Sequence, residues 1–187
     1  MKNIYLICGK SGVGKDTIVN GLCKRNHMKK LLSYTTRPKR PNEVNTHIFI
    51  NKKRYLQLQD VVCSTLFDGN YYCATKKQIE QADIYIIDKK GIEDFKKNYK
   101  GDRPYKIIYL TTFPWLRKHR MLQRDKDTIV VENRIKNDKK KFKGILKHVD
   151  KIIWNINKEK TIENLQNYII ESEVKEYERI AKETLNK

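Results

Sequence analysis

Residues 3–17 read NIYLICGKSGVGKDT. Asn3–Cys8 is a short apolar run of strand formers. Gly9, Gly14 and Lys15 follow at the spacing Gly, four free residues, Gly, Lys. Beyond them Ile18, Val19, Leu22 and Cys23 recur on one helical face. Strand, glycine loop and helix together form the context in which such a loop cradles phosphate. Backbone N–H groups converge on the oxygens, and the helix turns the positive end of its dipole to the same anion. Lys15 adds a charge beside a transferred phosphoryl group. The candidate phosphate-binding residues are Gly9, Ser11, Gly12, Gly14, Lys15, Asp16 and Thr17. One letter departs from the pattern: Asp16 stands where a Ser or Thr hydroxyl would ligate magnesium, and Thr17 comes one residue late. Asp16 is the candidate metal residue, holding Mg2+ through water. Its alternative reading is a first-turn acid favoured by the helix dipole.

Outward from the loop, three more apolar runs read as buried strands: DIYIID (83–88), YKIIYL (105–110) and KIIWNI (151–156). Helical stretches separate them, so the predicted fold is α/β with a largely parallel sheet flanked by helices. Residues 159–186 read as helix, with Ile162, Leu165, Tyr168 and Ile169 on one packed face and Val174, Tyr177, Ile180 and Ala181 on a second. Two regions break the rhythm. Residues 32–82 are polar, with few helix signals, and residues 117–138 carry Arg117, Arg120, Arg124 and Arg134 around a charged turn.

A length of 187 residues with 39% apolar content predicts one compact domain with its own core. The net charge is +19, from 41 basic and 22 acidic residues, which suits polyanionic ligands such as phosphorylated metabolites. Lysine is scattered along the chain, with one dense run at 139–143, so nucleic acid is not expected as the main partner. Cys8, Cys23, Cys63 and Cys73 form no close pair, which argues for reduced thiols rather than a disulfide framework or metal ligands. The one early apolar run, Ile4–Cys8, is too short for a signal peptide or a spanning helix. A cytoplasmic protein without membrane association is expected, as a monomer or a homodimer.

SYTTRPKRPNEVNTHIF (33–49) resembles the monophosphate-binding segment of guanylate kinases, with Ser33, Thr35, Thr36, Arg37, Arg40 and Glu43 in matching order. GNYY (69–72), IIDKKG (86–91), MLQRDKDTIVVENRI (121–135) and IIWN (152–155) resemble further motifs of that family. The resemblance implies a P-loop NTPase-type parallel sheet carrying a monophosphate-binding subdomain and an arginine lid. The core would be 1–31, 83–116 and 139–187, the subdomain 32–82 and the lid 117–138. It implies an ATP-dependent nucleoside-monophosphate kinase using Mg2+, with GMP or dGMP as the leading acceptor. Arg37 and Arg40 would grip the acceptor phosphate with forked guanidinium groups, and Tyr72 would add a phenolic hydrogen bond. Arg124 and Arg134 would close over the phosphates and neutralise developing charge. Arg120 and Asn155 join the ATP-binding set; Ser33, Glu43, His47, Thr75 and Asp88 join the acceptor set.

The guanine reader departs most from the family. Cys63 stands where the family places a Glu, and Ala74 where it places a Ser or Thr, with Thr75 next along. The segment after Glu43 is two residues shorter, and His47 replaces a phosphate-binding Tyr. Each missing pairing group weakens base discrimination by about 1–3 kcal/mol. The alternatives are another ribo- or deoxyribonucleoside monophosphate as acceptor, or a catalytically inactive binding module. The tail 171–187 extends beyond the resemblance.

Overall fold

The computed structural model describes residues 2–39, 43–44, 46–67 and 69–185. Its centre is β1 (Ile4–Cys8), whose five residues are all buried. Parallel neighbours flank it: β6 (Ile84–Ile86) on one side and β7 (Tyr105–Thr111) on the other, with β8 (Lys151–Trp154) beyond β7. A parallel sheet covered on both faces needs apolar side chains in both directions, which is why β1, β6 and β7 read as continuous apolar runs; β8, at the sheet edge, buries only Ile153. One face, with Ile4, Leu6, Cys8, Tyr85, Ile107 and Tyr109, packs on Ile92 and Phe95 of α4 (Lys89–Asn98). The other, with Tyr5, Ile7, Ile84, Ile108, Leu110 and Ile153, packs on Ile18, Val19 and Leu22 of α1 (Lys15–Asn26) and on Ile162, Leu165 and Ile169 of α7 (Lys158–Leu185).

The polar region between α1 and β6 builds a second sheet. It comprises β2 (Tyr34–Thr35), β3 (Ile48–Phe49), β4 (Val61–Phe67) and β5 (Asn70–Thr75), in the order β3-β2-β5-β4. Two short helices, α2 (Lys52–Leu56) and α3 (Lys76–Gln81), complete it. A bulge interrupts β4 between Val61 and Cys63. From there Cys63, Thr65 and Phe67 share one face of the strand. The sheet rests on the core through α4, where Asn98 Nδ2 donates to Val62 O at 2.9 Å and Ser64 N donates to Asp94 at 3.4 Å.

After β7, Pro114 opens α5 (Pro114–Asp125). The chain reverses at Lys126, whose φ is 54°, and Asp127 caps α6 (Thr128–Lys141). Lys118 and Glu132 pair across the two helices at 2.7 Å. A short 3-10 turn (Ile145–His148) leads into β8.

The four cysteines are free thiols, three of them buried. The expected second packed face of the C-terminal helix does not form. Burial along α7 stops at Ser172, Val174 and Tyr177 are 50% and 63% exposed, and Ala181 is exposed. Those apolar residues are too sparse among charges to cover a further layer. No described helix is long and apolar enough to cross a membrane.

Candidate active site

The glycine loop joins the C-terminal end of β1 to the first turn of α1, where Gly14 precedes the helix with φ 88°. A side chain at Gly14 would be strained by that backbone and would place its Cβ 2.6 Å from the Asn155 amide. Gly12, at φ 76°, lies equally close under Arg117 O. These two glycines let the loop be clamped from outside. Asn155 Nδ2 donates to Val13 O at 2.7 Å, and Arg120 reaches Val13 O and Asn155 O at 3.5 and 3.4 Å. Lys15 Nζ folds back to Gly9 O at 2.7 Å and Lys10 O at 3.3 Å. Burial pulls its pKa below the usual lysine value, opposed by Asp16 and Asp138.

A buried ion pair locks the outer lip of the loop. Arg117 Nη2 meets Asp138 Oδ2 at 2.7 Å, and Arg117 Nε donates to Ser11 O at 2.8 Å. Asp138 accepts from Ser11 N at 2.8 Å and from Ser11 Oγ at 3.3 Å. Arg117, read from sequence only as one arginine of the charged region 117–138, is therefore a buried support of the loop. Asp16 points elsewhere: its Oδ1 pairs with Lys30 Nζ at 3.0 Å, while its side chain stays 70% exposed. Thr17 is exposed on the first turn of α1.

A cavity of about 260 Å3 runs from this loop to the second sheet. Gly9, Ser11 and Lys15 line it from the loop; Ser33, His47, Cys63, Thr65 and Tyr72 line it from the second sheet and its approach; Tyr85 and Asp88 complete the wall. Ser33 Oγ and His47 Nδ1 are 3.0 Å apart, and the His47 and Tyr72 rings meet edge to face at 5.4 Å. Burial, helped by the Arg37 charge, holds the His47 pKa below the ordinary imidazole value. His47 thus meets a ligand as a neutral ring at neutral pH, and not as the protonated donor best suited to phosphate.

Arg37 is next to this cluster but does not line the cavity. Its Nη2 pairs with Glu43 Oε1 at 2.6 Å, its Nη1 donates to Pro38 O at 2.7 Å, and its guanidinium lies 5.5 Å from the Phe49 ring centre. Thr46 Oγ1 donates to the same Glu43 oxygen at 2.7 Å. Arg40 lies outside the described residues. Cys63 and Ala74 are buried, and desolvation raises the Cys63 thiol well above its ordinary value, keeping it neutral. Thr75 caps α3, exchanging hydrogen bonds with Gln78 in a capping box, and does not line the cavity. Asp88 caps α4 by accepting from Gly91 N at 2.7 Å, and Thr65 Oγ1 donates to it at 3.2 Å.

The remaining arginines gather on the helical hairpin. Arg124 grips Asp125 with two hydrogen bonds of 2.8 Å, and Arg134 reaches the same carboxylate at 3.2 Å. The sequence reading missed Asp138, Lys30, Thr65 and Lys141. Lys141 lines the cavity and lies 4.1 Å from the centre of the Phe67 ring. A cluster of like-looking lysines and acids gives no local signal of which one turns inward.

A glycine loop on a parallel sheet, facing a second sheet across a shared cavity with an arginine-bearing hairpin alongside, defines a P-loop phosphotransferase of the nucleoside-monophosphate kinase class. The sequence profile described as guanylate kinase matches residues 1–173, and the chain belongs to the guanylate kinase family. It is 29% identical over 178 residues to the guanylate kinase of Mycoplasma pneumoniae, covering 87% of this chain and 73% of that protein. Against the guanylate kinase of Bartonella quintana it is 29% identical over 147 residues, covering 72% and 66%. The crystal structure of guanylate kinase from Anaplasma phagocytophilum shares the fold with a TM-score of 0.67 at 19% identity, covering 91% of this chain and 86% of that one.

Proposed function

We propose that this chain transfers the γ-phosphoryl group of ATP to GMP, with dGMP as the alternative acceptor. The observation that carries the reading is the single cavity bordered both by Lys15 and by Ser33, His47, Tyr72 and Asp88. Phosphoryl transfer depends on positioning and charge neutralisation more than on a protein nucleophile. The loop amides and Lys15 would hold the ATP phosphates. Arg37, Arg40, Glu43, His47 and Tyr72 would seat the acceptor phosphate, with Arg37 exchanging part of its bond to Glu43 for phosphate oxygens. Arg124 and Arg134 would leave Asp125 to close over the transferred group. Residues 32–82 and 117–138 would move against a core of 1–31, 83–116 and 139–187, excluding water that would otherwise hydrolyse ATP.

Mg2+ fits the site as a companion of ATP. Asp16 is exposed, and its Oδ2 carries no hydrogen bond among the described residues, so it is free to meet the hydration shell of a bound ion. When present, the ion neutralises phosphate charge. The cytoplasm, which holds both substrates, is the proposed location.

A second acceptor reading has its own support: the uncharged, buried Cys63 and Ala74 remove two polar contacts to guanine. A coupled ADP-release assay across the common ribo- and deoxyribonucleoside monophosphates tests both, with Lys15→Ala as a folded, silent control. GMP or dGMP is expected to be fastest. Faster turnover of another base moves the acceptor assignment, and no turnover with any of them overturns the kinase reading.

A further inference from the structure

Thr65 has no counterpart among the residues that the family resemblance assigns to the acceptor, yet it lines the cavity between Cys63 and Phe67 on the inward face of β4. Its hydroxyl donates to Asp88 Oδ1 at 3.2 Å. A hydroxyl owns one proton and two lone pairs, and an ionised carboxylate only accepts. With its proton committed to Asp88, Thr65 offers a ligand lone pairs alone. Asp88 Oδ1 is occupied by Gly91 N and Thr65, and Oδ2 has no partner among the described residues. Together, Thr65 and Asp88 present a pair of acceptors on one wall. That wall suits a base edge carrying adjacent N–H donors, and it repels the ring-nitrogen lone pair that adenine shows in the same place. Lys141, from α6, borders the same cavity and supplies a donor suited to a carbonyl oxygen next to those N–H groups.

We propose that Thr65 and Asp88 form the reader of the acceptor base in this chain, selecting the N1–H and N2–H2 edge of guanine. They stand in for the carboxylate and hydroxyl that Cys63 and Ala74 do not supply. The inference rests on the proposed GMP kinase activity. The hydroxyl is the part not provided by the family pattern, so Thr65→Val, which keeps shape and branching, removes it alone.

GMP and IMP share N1–H and differ only by the 2-amino group, so the ratio of kcat/KM for the two reports the contact to N2–H2, the donor this proposal gives to Thr65, and is indifferent to general packing. Thr65→Val is expected to raise the KM for GMP about tenfold, the loss of about one to two hydrogen bonds. It should lower the GMP over IMP preference by a similar factor while leaving the KM for ATP at the wild-type value. Thr65→Ser should restore both, and thermal unfolding should show each variant folded. An unchanged GMP over IMP ratio in Thr65→Val overturns the proposal, as does an equal loss on both substrates. Failure of the wild-type chain to phosphorylate GMP at all is a different result, which removes the activity underneath.

Discussion

His47 sits among charges of both signs: Arg37 and Lys30 push its proton off, Glu43 and Asp16 hold it on, and burial outweighs them all. Its folded pKa is therefore below the unfolded imidazole value of 6.5. Above that value both states are neutral and His47 adds no pH dependence. As the pH falls through it, the unfolded chain takes a proton that the folded chain refuses, so stability is lost on the acid side. Urea denaturation of wild type and His47→Gln should give the same stability difference at about pH 7.5 and pH 8, with the wild type losing ground to the variant by about pH 5.5. A difference that does not change with pH would mean the ring is not shielded. His47 also shows what a sequence yields at this scale. Its place in the segment 33–49 was legible from neighbours a few positions away, whereas its neutral state depends on burial and on charges that include Asp16 and Lys30, well outside that segment. Gly14 is similar: the loop motif demanded a glycine, but the amide it makes room for, Asn155, lies on another strand end.

Among the elements, α5 and α6 carry more than the arginines Arg124 and Arg134. Their inner faces deliver Arg117 and Asp138 to the lip of the glycine loop, both less than 10% exposed. Asp138→Asn keeps an acceptor for Ser11 N but strips the buried guanidinium of its counter-charge. Breaking one side of such a pair costs about 3–5 kcal/mol. Chemical denaturation of Asp138→Asn should therefore show a loss of that order, and a loss below about 1 kcal/mol would place the pair at the exposed, weak end of ion pairing. Asp138 could not be singled out beforehand, and Arg117 stood out only as one arginine of the charged turn, because both sit in runs of charge that read as solvated helix faces. The inner parallel strands β1, β6 and β7 were legible for the opposite reason: burial on both sides leaves unbroken apolar runs. The second sheet was not. β2 and β3 are two residues each, and the bulge in β4 breaks the alternation by which a half-buried strand is read.

At the scale of the whole molecule, two sheets meet at a cavity bordered by Lys15 and Lys141. The net charge of +19 is distributed over a surface whose ligands are anions, which favours capture of nucleotides at low ionic strength. The family match ends at residue 173, and burial along α7 ends at Ser172, so the shared architecture and the packed part of the helix stop together. Glu173 still ties the helix to the core, accepting from Tyr5 Oη at 2.6 Å and from Asn3 N at 3.1 Å; beyond it, the ion pairs among the described residues are surface pairs within the helix, Arg179 with Glu176 and Glu183. One rod thus carries two independent clocks. In deuterium-exchange mass spectrometry, amides facing the core around Ile162–Ile169 should label only when the entire domain opens, while those from Val174 to Leu185 label by fraying within seconds to minutes. Slow labelling at both ends would reveal a shelter for the distal turns, such as a second copy of the chain.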